Sequence, residues 1–359
     1  MKHVFCVHSH ITYLASLGII DFLKLNKDEI IVISTNYDCP SGKIRIWNIN
    51  PYKGNIIQKI HHRIKHFNFG RFLDNFINKK VDNDNFIAYL PDMSLIGKLL
   101  VTNPKCKGFN FFEEGTASYI KYDNLDTLSY FFLDSPWRTR LLVFNDLRSI
   151  FRDILFILKG YNLKIFTLPR PANCYTSFKN IKFFGFSEAV FPNSLKSNKI
   201  ILSFSNSKKY FSAVRNYNTL NNGYIWIGDD LATFGGKYTS SQYINAITNS
   251  IIRDGLNNKI STIHIKFHHF DTGKFNNDIL EYIKSKGFNI VIIPKSVCLE
   301  IELLYVENVR VYGIDSSLLY YASLIGHQSF AAYKLLNCSY EHNTDNDEFY
   351  EKRVTILGQ

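Results

Sequence analysis

The chain has 359 residues, of which 46% are hydrophobic and 15% aromatic, and 42 Lys and Arg against 31 Asp and Glu give a net charge of +11. This composition excludes a disordered chain, and the length exceeds a usual single core, so two globular domains are expected. No apolar run is long enough to span a bilayer. Six scattered cysteines without a Cys-x-x-Cys pair exclude a zinc knuckle or a disulfide framework and favour a reduced, cytoplasmic setting.

The N-terminus, Met1-Lys2-His3-Val4-Phe5-Cys6-Val7, lacks the apolar region and cleavage site of a signal peptide and reads as a first buried strand. Short runs rich in Val, Ile and Phe at His3–Val7, Glu29–Ser34, Asn85–Leu90 and Gly108–Phe112 predict strands. Helical patterns at Tyr13–Leu25 and Ile56–Lys79 lie between them. The stretch Thr176–Asn198, with Pro192, Asn193 and Ser194, reads as an interdomain link, which places an N-terminal domain over 1–190 and a C-terminal one over 191–359. The alternation restarts with strands at Ile200–Phe204, Tyr224–Ile227, Thr262–Phe267, Asn289–Ile293 and Val309–Tyr312, and helices at Ser240–Asp254 and Asn276–Lys286. The acidic tail from Tyr340 is either loose or a closing helix that packs back on the N-terminal domain. Strands alternating with helices predict two open parallel α/β sheets, whose ligands sit beyond the carboxyl ends of the strands.

The positive charge calls for an anionic partner. Basic residues gather in Lys59–Lys80 and around Trp137, Arg138, Arg140, Arg148 and Arg152. The first group has Ile60, Ile64 and Phe67 at helical spacing, which makes either a solvated face or a surface for anionic lipid. The chain has no RNA-recognition, zinc-finger or helix-turn-helix signature, so no nucleic-acid partner is expected.

Three signals follow apolar, strand-like runs. Glu113-Glu114-Gly115-Thr116 places two adjacent carboxylates on a glycine turn, where crowding of like charge favours a general base. His268 and His269 end a strand on opposite faces, which argues against a shared metal, while His268 alone suits a phosphate or a leaving group. Ser316-Ser317 opens a helix, where capping hydroxyls and backbone N–H groups suit a phosphate. Gly228 closes a strand of the second half, and Glu300 suits ribose hydroxyls. Each also has a structural reading as a turn, a packed histidine, a helix cap or a surface acid.

Taken in order, these residues resemble the bacterial sialyltransferases of GT-B architecture that decorate lipooligosaccharide, O-antigen and capsule. Those families carry an acidic-acidic-glycine motif, a His-Pro motif and a Ser-Ser/Thr motif, matched here by Glu113-Glu114-Gly115, His268-His269 and Ser316-Ser317. His269 stands where the family has proline. The resemblance implies two Rossmann-like domains whose parallel sheets face a central cleft. CMP-sialic acid is then held by Ser316, Ser317, Glu300, Gly228, Lys266 and His269. Ser9, His10, Gly115 and Thr116 lie on the acceptor side or in the cleft. The resemblance further implies that Glu113 or Glu114 deprotonates a galactose-type acceptor and that His268 assists departure of CMP. It implies inverting transfer, with no metal and no other cofactor, by an enzyme peripheral to the inner face of the cytoplasmic membrane through its basic clusters. A different CMP-activated acid such as CMP-Kdo, and a non-catalytic glycan- or membrane-surface binding protein, are the alternatives.

Overall fold

The computed structural model describes residues 1–34, 46–48, 72–120, 171–176, 178–210, 220–228, 238–268, 276–295, 297–336 and 347–358. The chain forms two compact units, Met1–Tyr210 and Phe211–Gln359. The basic residues from 59 to 71, the cluster from Trp137 to Arg152, and His269 lie outside the described residues.

In the first unit, seven parallel strands stand in the order β3-β2-β1-β4-β5-β6-β7. They are β1 (Lys2–Val7), β2 (Ile30–Ser34), β3 (Ile46–Asn48), β4 (Phe86–Leu90), β5 (Cys106–Phe112), β6 (Phe183–Gly185) and β7 (Lys199–Ile201). β1 and β2 bury both faces, which is why their sequences are continuous apolar runs rather than alternating ones. Helix α1 (His10–Phe22) starts at Ser9, whose backbone N–H and hydroxyl are closed into a capping box by Thr12. Every residue from Ile11 to Ile20 of α1 is buried, so this helix is internal and carries no polar face. Aromatic rings fill the space around β5 and β6: Phe111 packs on Tyr175 and Phe183 with ring centroids 4.9 and 5.9 Å apart.

The second unit has six parallel strands in the order β10-β9-β8-β11-β12-β13. They are β8 (Tyr224–Ile227), β9 (Thr262–Lys266), β10 (Asn289–Ile292), β11 (Arg310–Gly313), β12 (Gln328–Ala331) and β13 (Thr355–Ile356). Counted from its own first strand, each sheet runs 3-2-1-4-5-6, the order of a dinucleotide-binding fold, and the first adds a seventh strand. The amino edge of the second sheet is closed by charge. Arg310 Nη1 donates to Asp254 Oδ2 at 2.5 Å and to Tyr224 Oη at 3.0 Å, and Tyr312 Oη donates to the same Asp254 oxygen at 2.5 Å.

The domain junction differs from the expectation. The stretch Thr176–Asn198 contains β6 and turns rather than a link, and β7 pairs with β6, so the residues from 191 to 210 belong to the first unit. Hydrogen bonding of Phe183, Phe184 and Gly185 to Lys199, Ile200 and Ile201 outweighs the Pro and Asn punctuation that suggested a boundary. The tail contributes a helix at Asp347–Glu351 and then β13, which completes the second sheet beside β12. The helical pattern at Ser240–Asp254 is observed as Ser240–Ile247, a π turn at Thr248–Ile252, and Arg253–Asn257.

Two buried histidines make the second unit sensitive to acid. His327 accepts weakly from the Val309 N–H through Nδ1 at 3.4 Å and donates to the Leu303 carbonyl through Nε2 at 2.8 Å. That pattern needs the neutral ring. His264, in β9, is 3% exposed and neither ring nitrogen has a partner with hydrogen-bond geometry among the described residues. Burial lowers both pKa values below the ordinary 6.5, and backbone contacts offset this only in part. The unfolded chain therefore binds protons that the folded one does not, so stability is full above 6.5 and is lost as pH falls below it. Protection of β8, β9 and β12 amides in hydrogen exchange, corrected for intrinsic rates, is expected to fall between pH 7.5 and 5.5, and to fall less in His264→Phe. Equal protection at both pH values would refute the assignment.

Candidate functional site

Because every strand is parallel, the residues that follow the strands gather at the carboxyl edge of each sheet. In the first unit, β1 leads into His8, Ser9 and His10. The backbone N–H groups of His8 and Ser9 both donate to Thr12 Oγ1, at 3.0 and 2.9 Å, so Ser9 serves as the cap of α1. His8 Nε2 lies 3.3 Å from Glu114 Oε1. In the sheet, β4 stands between β1 and β5, so this contact reaches over the end of β4.

The two adjacent glutamates have different surroundings. Glu113 is fully buried. Its Oε1 accepts from Tyr119 Oη at 2.6 Å and its Oε2 from the Phe186 N–H at 2.7 Å. Its own N–H donates to the Phe184 carbonyl. Glu114 is 28% exposed, its N–H donates to Ser118 Oγ at 2.9 Å, and its carboxylate meets His8. The expectation of a pair sharing one environment gives way to a division: successive residues leave a strand on opposite sides, so Glu113 is drawn into the protein and Glu114 is left at its surface. Gly115 enables the turn with φ +139°, a conformation costly for any other residue. Thr116 begins the 3₁₀ turn Thr116–Tyr119 that brings Tyr119 back to Glu113.

Beside Glu114 lies a cavity of about 270 Å³. Its polar lining is Asp92, Glu114, Ser118 and Asn173. Asp92 follows β4 and is 3% exposed, and its Oδ1 accepts from the Ser94 N–H at 3.2 Å. The same reasoning that singled out Glu113 and His268, a polar residue directly after an apolar strand, applies to His8 and Asp92, which the sequence reading passed over. Asn173 had no such signal, because it sits in the 3₁₀ turn Ala172–Tyr175, far along the chain from Glu114.

In the second unit, Gly228, His268, Glu300 and Ser316 follow β8, β9, β10 and β11 in turn. At Gly228 the end of β8 runs against its neighbour, for a Cβ there would lie 3.3 Å from Phe267 Cα and 3.5 Å from His268 N. The Gly228 N–H donates to the Lys266 carbonyl at 2.8 Å. His268 is half-buried. Ser316 caps helix Ser317–Ile325, its Oγ accepting from the Leu318 N–H at 3.2 Å, and Ser317 is exposed in the first turn. The Ser316 carbonyl accepts from Tyr350 Oη at 3.1 Å, so the C-terminal helix supports the cap.

Lys266 takes a different place from that expected of a donor contact. Its Nζ donates to the carbonyls of Pro294, Lys295 and Val297 at 2.6, 3.0 and 2.8 Å. Burial lowers its pKa from the ordinary lysine value, and the charge of Glu300 opposes that shift. All three ammonium hydrogens thus hold the loop that carries Cys298 and Glu300, whose Sγ and Oε2 are 3.5 Å apart. Burial and the Glu300 charge hold the Cys298 thiol well above its usual range, so it stays neutral.

Compared with known proteins, the profile of the alpha-2,8-polysialyltransferase (POLYST) family matches residues 18–334. Among solved structures, a sialyltransferase from Photobacterium damsela is similar over 99% of this chain and 81% of its own, with a TM-score of 0.50 at 14% identity. A UDP-GlcNAc 2-epimerase from Methanocaldococcus jannaschii is similar over 99% of this chain and 93% of its own, with a TM-score of 0.48 at 13% identity. Comparison with curated proteins gives no match. At these identities the likeness is one of fold, and with two parallel α/β sheets in two units that fold is GT-B.

Two substitutions separate support from chemistry. Glu113→Leu removes the buried carboxylate that accepts from the Tyr119 hydroxyl and the Phe186 N–H, each such loss costing about 1–3 kcal/mol, and is expected to lower the melting temperature of the first unit. Lys266→Met is expected to raise hydrogen exchange across residues 294–300 while β8 and β11 stay protected. An unaltered loop would show that the three carbonyl contacts do not order it.

Proposed function

The chain belongs to the alpha-2,8-polysialyltransferase family, and from that membership we propose that it transfers sialic acid from CMP-Neu5Ac; inversion and a galactose-type hydroxyl of a bacterial surface glycan as acceptor rest on the motif resemblance read in the sequence. The observation that carries the site assignment is the separation of Glu113 from Glu114: one carboxylate is already bound on both oxygens inside the protein, and the other faces a cavity. Glu114 is the general base, oriented by His8, and Glu113 is a positioning residue that holds the turn on which Glu114 sits.

The reaction is a single displacement. Glu114 takes the proton of the acceptor hydroxyl as its oxygen forms a bond to the anomeric carbon of the donor. The bond from that carbon to the phosphate oxygen breaks with its electron pair, and CMP departs. Donor binding falls to the second unit, where the Ser316 hydroxyl and the N–H groups at the start of helix Ser317–Ile325 offer hydrogen bonds to the phosphate. His268, protonated, stabilises the negative charge that develops on CMP. Glu300 binds the ribose, and Lys266 acts through it by holding its loop. Ser9 acts as the cap of α1, with His10 beside it at the acceptor edge of the first sheet. Protein groups carry the charge, so no metal or cofactor is required. Among the described residues no helix is long and apolar enough to cross a membrane. The +11 charge supports attachment of this enzyme to the anionic inner face of the cytoplasmic membrane.

CMP release from CMP-Neu5Ac, with CMP-Kdo as the competing donor and EDTA present, tests this reading. Glu114→Gln and His268→Ala are each expected to lower kcat by about 10²–10⁴-fold with melting temperatures unchanged, whereas Glu113→Gln lowers activity and melting temperature together. Full activity in Glu114→Gln would overturn the base assignment. Release from CMP-Kdo alone would move the chain to the other activated acid, and loss of activity in EDTA would overturn metal independence.

A further inference from the structure

The helix proposed to meet the donor phosphate is held by the far end of the chain. At the start of helix Ser317–Ile325, the Leu318 N–H donates to Ser316 Oγ at 3.2 Å and the Leu319 N–H to the Ser316 carbonyl at 3.0 Å. The Ser317 N–H is left over, since no carbonyl within the helix can reach it, and Ser317 is exposed. That N–H belongs to the same peptide unit as the Ser316 carbonyl. The unit is planar and trans, so its N–H and C=O point in opposite directions. Whatever fixes the carbonyl therefore fixes the line along which the N–H points. The C-terminal segment does this. Tyr350, 3% exposed, donates from Oη to the Ser316 carbonyl at 3.1 Å. Its ring stacks on Tyr320 of the helix with centroids 6.3 Å apart, and Phe349 meets Tyr320 edge-on at 5.0 Å. Farther on, the Arg353 carbonyl accepts from Ser323 Oγ at 2.9 Å. β13 then pairs with β12, and the Leu357 N–H donates to the Ala331 carbonyl at 2.9 Å. The helix is thus gripped at its cap, on its flank and near its end.

We propose that the C-terminal segment is part of the donor site, with Tyr350 as the positioning residue that aims the Ser317 N–H at the donor phosphate. A hydroxyl that donates to a carbonyl also polarises the peptide behind it, which strengthens the N–H on the far side. The contact therefore acts on the anion and leaves the base and ribose to other groups. Tyr350 lies beyond residues 18–334, the part of the chain that the family profile matches. The inference rests on the donor reading above and adds to it a residue from outside the motifs.

Binding to the full chain of CMP, by calorimetry, and of cytidine, which lacks the phosphate, by saturation-transfer NMR tests this directly. Tyr350→Phe keeps the stacked ring and removes only the hydroxyl. It is expected to weaken CMP by about three- to tenfold, the worth of one hydrogen bond, while cytidine binds within about twofold of the parent. Ser323→Ala releases the segment at its other contact with the helix and is expected to leave both ligands within about twofold. Unaltered CMP affinity in Tyr350→Phe, or an equal loss of CMP and cytidine, would overturn the inference while the donor reading stood. A loss of CMP in Ser323→Ala as large as that in Tyr350→Phe would also overturn it, since tethering alone would then account for the effect. A parent chain that does not bind CMP would overturn the donor reading and this inference with it.

Discussion

Parallel pairing is the constraint from which the rest of this molecule follows. A parallel strand delivers its last residue to the same edge as its neighbours, so the thirteen strands among the described residues produce two edges on which polar residues collect. Such strands are buried on both faces and can carry almost no polar side chain within the sheet. The candidate site residues therefore fall in the first one to three positions beyond each strand: His8, Asp92 and Glu113-Glu114 in one unit, and Gly228, His268 and Ser316 in the other. The opposite edge of the second sheet is occupied by the Arg310, Asp254, Tyr224 and Tyr312 network, which Gln328 joins as an acceptor from Arg310 Nε.

Adjacent residues of one kind acquire unlike roles by geometry alone. Glu113 lies inward, where a carboxylate without donors would be costly, and the Tyr119 hydroxyl and Phe186 N–H supply them. Glu114 lies outward and keeps a carboxylate in reach of a solute. Lys266 repeats the lesson in the second unit. A cation that suits an anionic ligand by type is bound instead to three backbone carbonyls, and its influence on the site passes through the loop it ties down.

Much of the fold was legible in the sequence because buried parallel strands announce themselves as apolar runs. Tyr224–Ile227 is observed with the bounds expected, and Lys2–Val7, Ile30–Ser34, Phe86–Leu90 and Asn289–Ile292 within a residue at either end. β3, β6 and β13 were not legible: each is two or three residues long, and its identity depends on a neighbour distant in the chain. The same shortness misplaced the domain junction, since β7 at the sheet edge and β6 beside it are recognisable only by their pairing. Within the candidate site, the motif residues were singled out because they follow long apolar strands. His8 and Asp92 carried the same signal without a family motif to draw attention to them, and Asn173 carried none, because only the fold brings it to the cavity that Glu114 lines.

Each unit is one uninterrupted stretch of chain, with a single passage between them after Tyr210. Among the described residues no strand of either sheet comes from the other half, so the boundary in the molecule is also a boundary in its gene. One crossover between the codons for residues 210 and 211 would exchange the half that bears Glu114 and its cavity while leaving every strand around Ser316 and His268 in place. Under the proposed division of acceptor and donor between the units, recombination varies what is modified separately from what is transferred, without residue-by-residue change.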